Sequence, residues 1–336
     1  MTGTILERID NLLKKANFET FLLDHFTDKK NKFCFDLLVK KNDNIFSVKI
    51  FSNIDNLSPD TIEDIKSLSL LLKSKPLLIG IRNRYQELED NTIYIREGLP
   101  FITLATLENL VNKELYPYIL ARRGGGVMFL NGNIMKLLRE KRSISRKELS
   151  ELLGVTKRTV CAYENESMRP SETIANKISE ILDNQDIFRK INLFEWNFKF
   201  EIDKKETREE VNKNPFESHL QEVLDDIGIS SYWYRNSPIP FKLSLYSKMP
   251  NEKEEHNFYP LFSGVSEEDK KINELSFKCL KMFTEVFHAN SLFIINNNIK
   301  IPDSLKKIKI PIVKIRNLEK VDDEAEFIDL IQESGN

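Results

Sequence analysis

Apolar side chains recur at helical spacing in four short segments between residues 134 and 182, and this pattern predicts four helices separated by tight turns. Ser145 and Glu148 have the spacing of a capping box, so the second helix should begin at Ser145 and end at Gly154. Thr156 should cap the third helix, and Ser171 should begin the fourth. The residues expected on the inner side of the second helix are Leu149, Leu152 and Leu153.

Residues 1 to 114 alternate between helix and strand patterns. An amphipathic helix comes first, and two β-rich runs at 33–39 and 45–51 follow it, joined by turn residues. A second helix should begin at Ser58 and lead into an apolar strand from Pro76. Two short strands and a helix complete the order, which is typical of an α/β domain.

The segment after residue 214 repeats this order of patterns, with a helix, two strands, a long helix, further strands and a last helix. We therefore interpret residues 215 to 336 as a second copy of the first fold. In this alignment Lys242 corresponds to Asp36, and Leu261-Phe262-Ser263 corresponds to Ile50-Phe51-Ser52. Each copy has a long helix before an apolar strand, which is typical of a crossover to a parallel strand.

The central run SRKELSELLGVTKRTVCAYEN closely resembles the Xre/Cro/cI family of helix-turn-helix DNA-binding domains. Gly154 stands at the turn, Val160 points into the core, and Tyr163-Glu164 closes the second helix of the pair. The resemblance implies that the helix beginning near Thr156 lies in the major groove, while the N-terminus of the helix before it, at Ser145, sits on a phosphate.

Carried over position by position, the resemblance gives each candidate contact residue a role. The phosphate-facing start holds Ser145 and Arg146, with Lys147 beside them. The base-reading end holds Thr156, Lys157, Arg158 and Thr159, and one turn further on Cys161 and Ala162 should lie alongside the bases. The residue types fit these roles, because Arg and Lys donate to guanine O6 and N7 and a Thr hydroxyl bonds to a base or a phosphate.

Charge supports a local DNA-binding surface rather than a polycationic protein. The chain carries 50 Lys and Arg against 52 Asp and Glu, so any nucleic-acid binding must come from a patch. The predicted patch comprises Lys136, Arg139, Lys141, Arg142, Arg146 and Lys147. The alternative is a protein-interaction module whose charged helices are simply solvated.

Two segments lack the pattern of a core and are predicted to connect domains. In residues 115–132, Arg122 and Arg123 precede three glycines, which favours a hinge whose arginines touch the DNA backbone, or else a spacer. Residues 199–214 are highly charged and should form an exposed connection. The predicted domains are then 1–114, 133–198 and 215–336, joined by 115–132 and 199–214.

Two aromatic-rich segments lie outside these assignments. Residues 185–196 should form a helix and an extended piece that packs on the domain or on a second subunit. Tyr232, Trp233 and Tyr234, next to Arg235, have the chemistry to stack on a base or a ligand. Such groups more often form a core or an interface, so both interpretations stay open.

The first domain also resembles restriction-endonuclease-like and Holliday-junction-resolvase-like nucleases, through Asp36 and the run Ser47-Val48-Lys49. The resemblance implies two carboxylates that hold a metal ion and a lysine that helps to produce hydroxide. Ser47 stands at the position of the second carboxylate, and Glu7 on the first helix is the residue that could replace it. We expect a degenerate nuclease fold, without metal or cofactor, that serves as a scaffold or sensor and whose two copies pair face to face.

Cysteine use and hydropathy predict a cytoplasmic protein. Cys34, Cys161 and Cys279 are widely separated, and the four histidines do not cluster with them, which argues against a zinc site or disulfide framework. The N-terminal helix lacks the continuous apolar core of a signal peptide, and no apolar run reaches membrane-spanning length. We therefore expect no membrane partner.

The whole layout resembles the archaeal HTH-type transcriptional regulators that join this domain to larger flanking regions. The predicted fold is multidomain α/β plus all-α, with a central four- to five-helix lambda-repressor-like helix-turn-helix flanked by two endonuclease-like α/β domains. The expected function is sequence-specific, non-enzymatic binding of double-stranded DNA by a homodimer, because one such domain reads a half-site. The alternatives are a DNA-processing nuclease targeted by its helix-turn-helix and a DNA-binding sensor gated by an unidentified small-molecule effector.

Overall fold

The computed structural model describes residues 2–23, 33–122, 125–201, 214–235, 240–247, 258–266, 272, 274–306 and 309–335. The chain divides into two compact units. Unit 1 comprises Met1–Ala16, Ile50–Asn56 and Pro76–Asn197, and unit 2 comprises Asn17–Lys49, Leu57–Lys75 and Phe198–Asn336. Among the described helices, none combines the length and the apolar composition needed to cross a membrane.

The first α/β segment has the predicted helices and strands and one strand more. Its elements are α1 Thr2–Lys15, β1 Glu19–Leu22, β2 Leu37–Lys41, β3 Asn44–Asn53, α2 Pro59–Leu71, β4 Ser74–Arg82, β5 Thr92–Arg96, β6 Leu99–Ile102 and α3 Leu104–Lys113. Ser58 caps α2, because its side chain accepts the Thr61 N–H. Strand β1 was not predicted; it pairs antiparallel with β2 and places Phe21 opposite Leu38.

The segment predicted as a linker, 115–132, contains a β-hairpin instead of a free connection. Its strands are β7 Ile119–Arg122 and β8 Gly125–Met128, and β7 pairs in parallel with β5. The eight strands follow one another in the order β1-β2-β3-β4-β6-β5-β7-β8. Arg122 pairs with Gly125 and Ala121 with Gly126, so ladder hydrogen bonds hold the backbone of this segment.

The central segment is a four-helix domain, as predicted. Its helices are α4 Gly132–Lys141, α5 Arg146–Leu153, α6 Lys157–Glu164 and α7 Glu172–Leu182. Residues 185–191 do not form the expected helix, and a 3-10 turn at Leu193–Glu195 is the only helical piece of that segment. The core holds Leu149 and Leu153, whereas Leu152 is 59% exposed, contrary to the prediction that it points inward.

The third segment forms a five-stranded sheet in the order β13-β12-β11-β10-β9. Its elements are α8 Pro215–Ile227, β9 Ile229–Trp233, β10 Leu243–Ser247, β11 Leu261–Ser266, α9 Glu274–Phe287, β12 Asn290–Ile295, α10 Asp303–Lys306, β13 Ile312–Lys314, α11 Ile315–Leu318 and α12 Glu324–Gly335. The residues 202–213 of the predicted charged connection lie outside the described part of the chain.

The first and third segments share the order helix, three strands, helix, strand, and the same strand order. Their hairpins also share one hydrogen-bond scheme. The Leu23 N–H donates to the Asp36 carbonyl and the Asp36 N–H to the Val48 carbonyl, and the third segment repeats this with Tyr234, Lys242 and Ser263 in the same roles. Lys242 thus corresponds to Asp36, as predicted. Ser263 corresponds to Val48 and not to Ser52, so the predicted alignment of the Φ-Phe-Ser run was wrong by four residues.

Gly132 allows close packing between the start of α4 and the end of α6. A Cβ atom at Gly132 would lie 2.0 Å from the carbonyl oxygen of Glu164, which belongs to the backbone and cannot rotate away. Gly154 differs, because it needs glycine for its φ of +70° but has open space around an added Cβ.

We predict that Gly132→Ala lowers the free energy of unfolding by about 3 kcal/mol, the upper part of the range for overpacking. Gly154→Ala is the matched control and should cost only about 1 kcal/mol of backbone strain. Urea unfolding of the full chain measures both changes. An equal or smaller loss for Gly132→Ala would contradict the close packing described here.

Candidate nucleic-acid interface

The turn between α5 and α6 is built from local hydrogen bonds that the sequence encodes. Ser145 and Glu148 form both bonds of a capping box: the Glu148 N–H donates to the Ser145 hydroxyl at 3.1 Å, and the Ser145 N–H donates to the Glu148 carboxylate at 2.9 Å. Gly154 ends α5 in the left-handed region, and the Val155 N–H donates to the Ser150 carbonyl. The helix pair therefore has a defined turn before any ligand is present.

A buried carboxylate fixes the end of α6 to α4 and to the start of α5. Glu164 accepts the Nε–H of Arg139 at 2.6 Å on one oxygen and the Nε–H of Arg146 at 2.7 Å on the other. Arg139 also donates to the carbonyl of Ile144. The hydrogen bond to Glu164 raises the pKa of Arg146 above its usual value, and the Arg146 side chain remains 34% exposed.

This arrangement corrects the predicted cationic patch. Arg139 is buried, so it belongs to the core of the domain and not to the surface. Arg142 lies 3.3 Å from Asp183, and Lys147 is exposed, 3.9 Å from Glu151. The sequence analysis gave Glu164 no role beyond closing α6. The available signal was an acidic residue in α6 together with Arg139 and Arg146 on the two preceding helices.

The N-terminal turn of α6 presents two free cations. The Thr156 hydroxyl accepts the Thr159 N–H at 3.1 Å and lies 2.8 Å from the Thr159 hydroxyl, so both threonines contribute to the cap. Lys157 and Arg158 follow directly and are exposed. Within the described part of the chain, neither cation has an acidic partner, so both are available to an anionic or acceptor-rich ligand.

The remaining predicted contact residues divide into two groups. Cys161 and Ala162 are half-buried on the next turn of α6, and the Asn165 side-chain amide donates to the Cys161 sulfur at 3.5 Å. For Arg122 the structure describes the backbone in β7 but no side chain, and Arg123 lies outside the described residues.

The nuclease-like residues form an ion pair across the β2–β3 hairpin. The Lys49 ammonium group donates to the Asp36 carboxylate at 2.8 Å, and both side chains are largely buried. The Ser47 hydroxyl, two positions before Lys49, is buried and has no hydrogen-bond partner in the described structure. A hard divalent cation needs several oxygen ligands, and here the single carboxylate is already bonded to an ammonium group. These residues therefore do not fit a metal site.

The corresponding position of the third segment carries the opposite charge. Lys242 takes the place of Asp36, and its ammonium group lies 3.5 Å from the buried Glu217 carboxylate. The β10–β11 pairing puts Phe262 opposite Ser244, at the position that Ser47 has in the first copy. In the described ranges, His, Cys, Asp and Glu side chains nowhere form a group of three or more that could hold a metal ion.

The aromatic group of β9 belongs to the core. Tyr232 and Trp233 are at most 7% exposed, and Tyr234 is fully buried with its hydroxyl 3.0 Å from Ser244. The Trp233 indole N–H donates to the Gln221 side chain at 2.6 Å. These rings have no exposed face on which a base could stack, so the core interpretation is the correct one.

Comparison with known families agrees with both parts of this description. A model of a PD-(D/E)XK superfamily domain matches residues 2–117, and a helix-turn-helix model matches residues 135–185. The first match covers α1 to α3, and the second begins within α4 and extends past the end of α7. The chain thus combines a nuclease-like α/β domain with an Xre-like helix-turn-helix.

Relatives of similar length align with nearly the whole chain. Proteins named "Putative HTH-type transcriptional regulatory protein" from Methanococcus vannielii and Methanobrevibacter smithii are each 30% identical to this chain, covering 99% and 98% of it and 98% and 96% of their own lengths. One from Archaeoglobus fulgidus is 29% identical over 100% of this chain and 99% of its own. The chain therefore belongs to the family of HTH-type transcriptional regulatory proteins that these archaeal relatives represent.

Proposed function

We propose that the protein is a sequence-specific DNA-binding transcription regulator that reads the major groove with α6 and catalyses no reaction on DNA. The observation that carries this proposal is the pair of exposed, unpartnered cations, Lys157 and Arg158, at the N-terminal turn of α6. They follow a rigid turn, so their side chains begin from a fixed backbone. Arg and Lys at such a position are suited to guanine O6 and N7.

The residues around this turn divide between base and phosphate contacts in our proposal. Arg158 and Lys157 read base edges, Thr156 and Thr159 bond to a base or a phosphate, and Cys161 and Ala162 line the groove. Arg146 holds a phosphate with the guanidinium nitrogens that Glu164 leaves free, while Ser145 and Lys147 flank it. Arg122 and Arg123 add backbone contacts from the glycine-rich hairpin.

A homodimer is part of the proposal. One helix-turn-helix reads a half-site, and two copies read half-sites about 34–36 Å apart, or a multiple of that spacing, along one face of the duplex. The nuclease-like site contributes no catalysis in this proposal, because Lys49 neutralises Asp36 and Ser47 supplies no second carboxylate. A nuclease that uses the helix-turn-helix for targeting is the rival function.

We predict that substitution of two arginines weakens DNA binding in different ways. The duplex for this test is the preferred one, which selection from a random library by the full-length protein identifies. Arg158→Ala should weaken binding by about 1–3 kcal/mol and relax preference at one base position. Arg146→Ala should weaken all sequences alike and reduce the slope of log affinity against log salt by about 1.

Binding titrations against single-base variants of that duplex measure both effects. Lys177→Ala, which removes an exposed cation from α7, is the control for a general change in charge and should leave sequence preference unchanged. Equal weakening of every duplex variant by Arg158→Ala would show that the docking proposed here is wrong.

We also predict no metal-dependent cleavage of DNA. Branched, linear and supercoiled DNA should remain intact with the full-length protein and Mg²⁺ or Mn²⁺, since Ser47 cannot supply a carboxylate beside Asp36. Gel analysis of the products gives the readout. Cutting that disappears in both Asp36→Ala and Lys49→Ala would favour the nuclease and refute this proposal.

A further inference from the structure

Within unit 2, a part of the first α/β segment packs against the third segment at two places. We call these parts the first half, Asn17–Lys49 with Leu57–Lys75, and the second half, Phe198–Asn336. At one place β1 meets α9, and the Phe21 ring lies 6.1 Å from the rings of both Phe283 and Phe287. At the other, Tyr232 of β9 meets Asp64 of α2.

These two contacts join equivalent elements of the two copies. Phe21 and Tyr232 have the same place in their hairpins, each two residues before the residue whose N–H donates to the Asp36 or Lys242 carbonyl. The helices correspond through their ends, since α2 is followed by Lys73 and α9 by His288, both in the left-handed region. The chain length from Val48 to Lys73 equals that from Ser263 to His288, so the residues in between can be paired one to one. This correspondence pairs Asp64 with Cys279 and Leu68 with Phe283.

The two contacts nevertheless have opposite chemistry. Asp64 is fully buried and accepts the Tyr232 hydroxyl at 2.9 Å and the Arg235 N–H at 3.2 Å; the Arg235 guanidinium also donates to Asp60 at 2.6 Å. Burial, and then the charge of Asp64, raise the pKa of Tyr232, so its hydroxyl stays protonated and donates. We call this the polar contact.

The equivalent place on the other side is the apolar contact, formed by Phe21, Phe283 and Phe287, and it includes the buried Cys279 of α9 as the position equivalent to Asp64. All four side chains are buried, and Phe21 offers no group that could bond to a carboxylate. The pairing of a first half with a second half therefore gives Asp64 its hydroxyl donor and leaves Phe21 among apolar side chains. Both conditions are met only when a first half pairs with a second half, which we call unlike pairing.

Like pairing would fail at both contacts. Two first halves would set each Asp64 against Phe21 of the other copy, and two second halves would set each Tyr232 hydroxyl against Cys279. A buried carboxylate that loses its donor keeps its full desolvation cost, and an unpaired buried hydroxyl is also unfavourable. We propose that Asp64 and Tyr232 determine partner choice, so that the surface of the first half fits the second half of this chain and rejects a second copy of itself.

The consequence is that the two nuclease-like copies act as a built-in dimer. Their mutual surface is used within the chain, and association of whole chains on DNA has to use another surface. The polar contact thus has a role in assembly that neither half needs for its own fold.

The first test measures thermal unfolding of the full-length protein. Tyr232→Phe removes a hydroxyl from the polar contact, and Phe21→Tyr adds one to the apolar contact. Each should lower the Tm by about 5 °C, as the loss or burial of one unpaired polar group implies. Tyr246→Phe is the control for loss of a hydroxyl outside the contact. It removes a half-buried hydroxyl of β10 that bonds to Ser230 of β9, and it should lower the Tm by less. No greater shift for Tyr232→Phe than for this control would overturn the proposal.

The second test converts the polar contact into an apolar one. The double variant Asp64→Cys with Tyr232→Phe places at each position the residue type that the other half has there, as in Cys279 and Phe21. This variant has no buried carboxylate to lose its partner, so it should be more stable than Tyr232→Phe alone. The proteins are then refolded from urea at rising chain concentration, up to the order of 1 mM, where pairing between chains competes with pairing through a tether. At each concentration, light scattering should show a species of higher mass for the double variant than for the wild type or Tyr246→Phe, and its share should grow with concentration. Masses equal to the wild type at every concentration would overturn the role of Asp64 and Tyr232 in partner choice.

Discussion

The helix-turn-helix depends on the two ion pairs that the buried Glu164 carboxylate forms. A carboxylate that is almost completely removed from water must be paired, and Glu164 is paired twice, with Arg139 from α4 and Arg146 from α5. The three helices are thereby joined at one point, and α6 cannot turn about its axis without breaking a buried ion pair. The bond to Glu164 that stabilises the domain also fixes the position of the Arg146 Nε atom, while the Arg146 side chain remains 34% exposed.

Ion pairs also occupy the position of Asp36 in the nuclease-like segment and the equivalent position of the third segment. The position of Asp36 is filled by an acid paired with Lys49 in one copy and by Lys242 paired with Glu217 in the other. In both segments a partly or fully buried charge is paired with an opposite charge from the protein itself. The sheet and its helices are kept by apolar packing, which is independent of the residues that would perform chemistry.

Local signals in the sequence were sufficient where hydrogen bonds are local. The capping box at Ser145, the left-handed Gly154 and the cap at Thr156 depend on neighbours a few residues away, and the structure has all three. Burial could not be read in the same way, because helical spacing does not tell whether a neighbouring helix covers a side chain. Arg139 is inside although it is charged, and Leu152 is outside although it is apolar. Strand β1 was missed for a related reason: its four residues become a strand only by pairing with β2.

The hairpin in the glycine-rich segment shows how tertiary pairing overrides composition. Arg122 and Gly125 pair across the turn, and the segment that follows bonds to the helix-turn-helix through its backbone. The Met128 N–H donates to the Pro170 carbonyl, the Asn131 N–H to that of Ile187, and the Arg189 N–H to that of Phe129. Each bond satisfies a backbone group that a free linker would leave to water. Because β7 also pairs with β5, a series of backbone hydrogen bonds joins these strands to Pro170, just before α7, and to the segment after α7. Any change in these strands that displaces β7 must therefore either move the helix-turn-helix domain with it or break these bonds, which a flexible connection would not require.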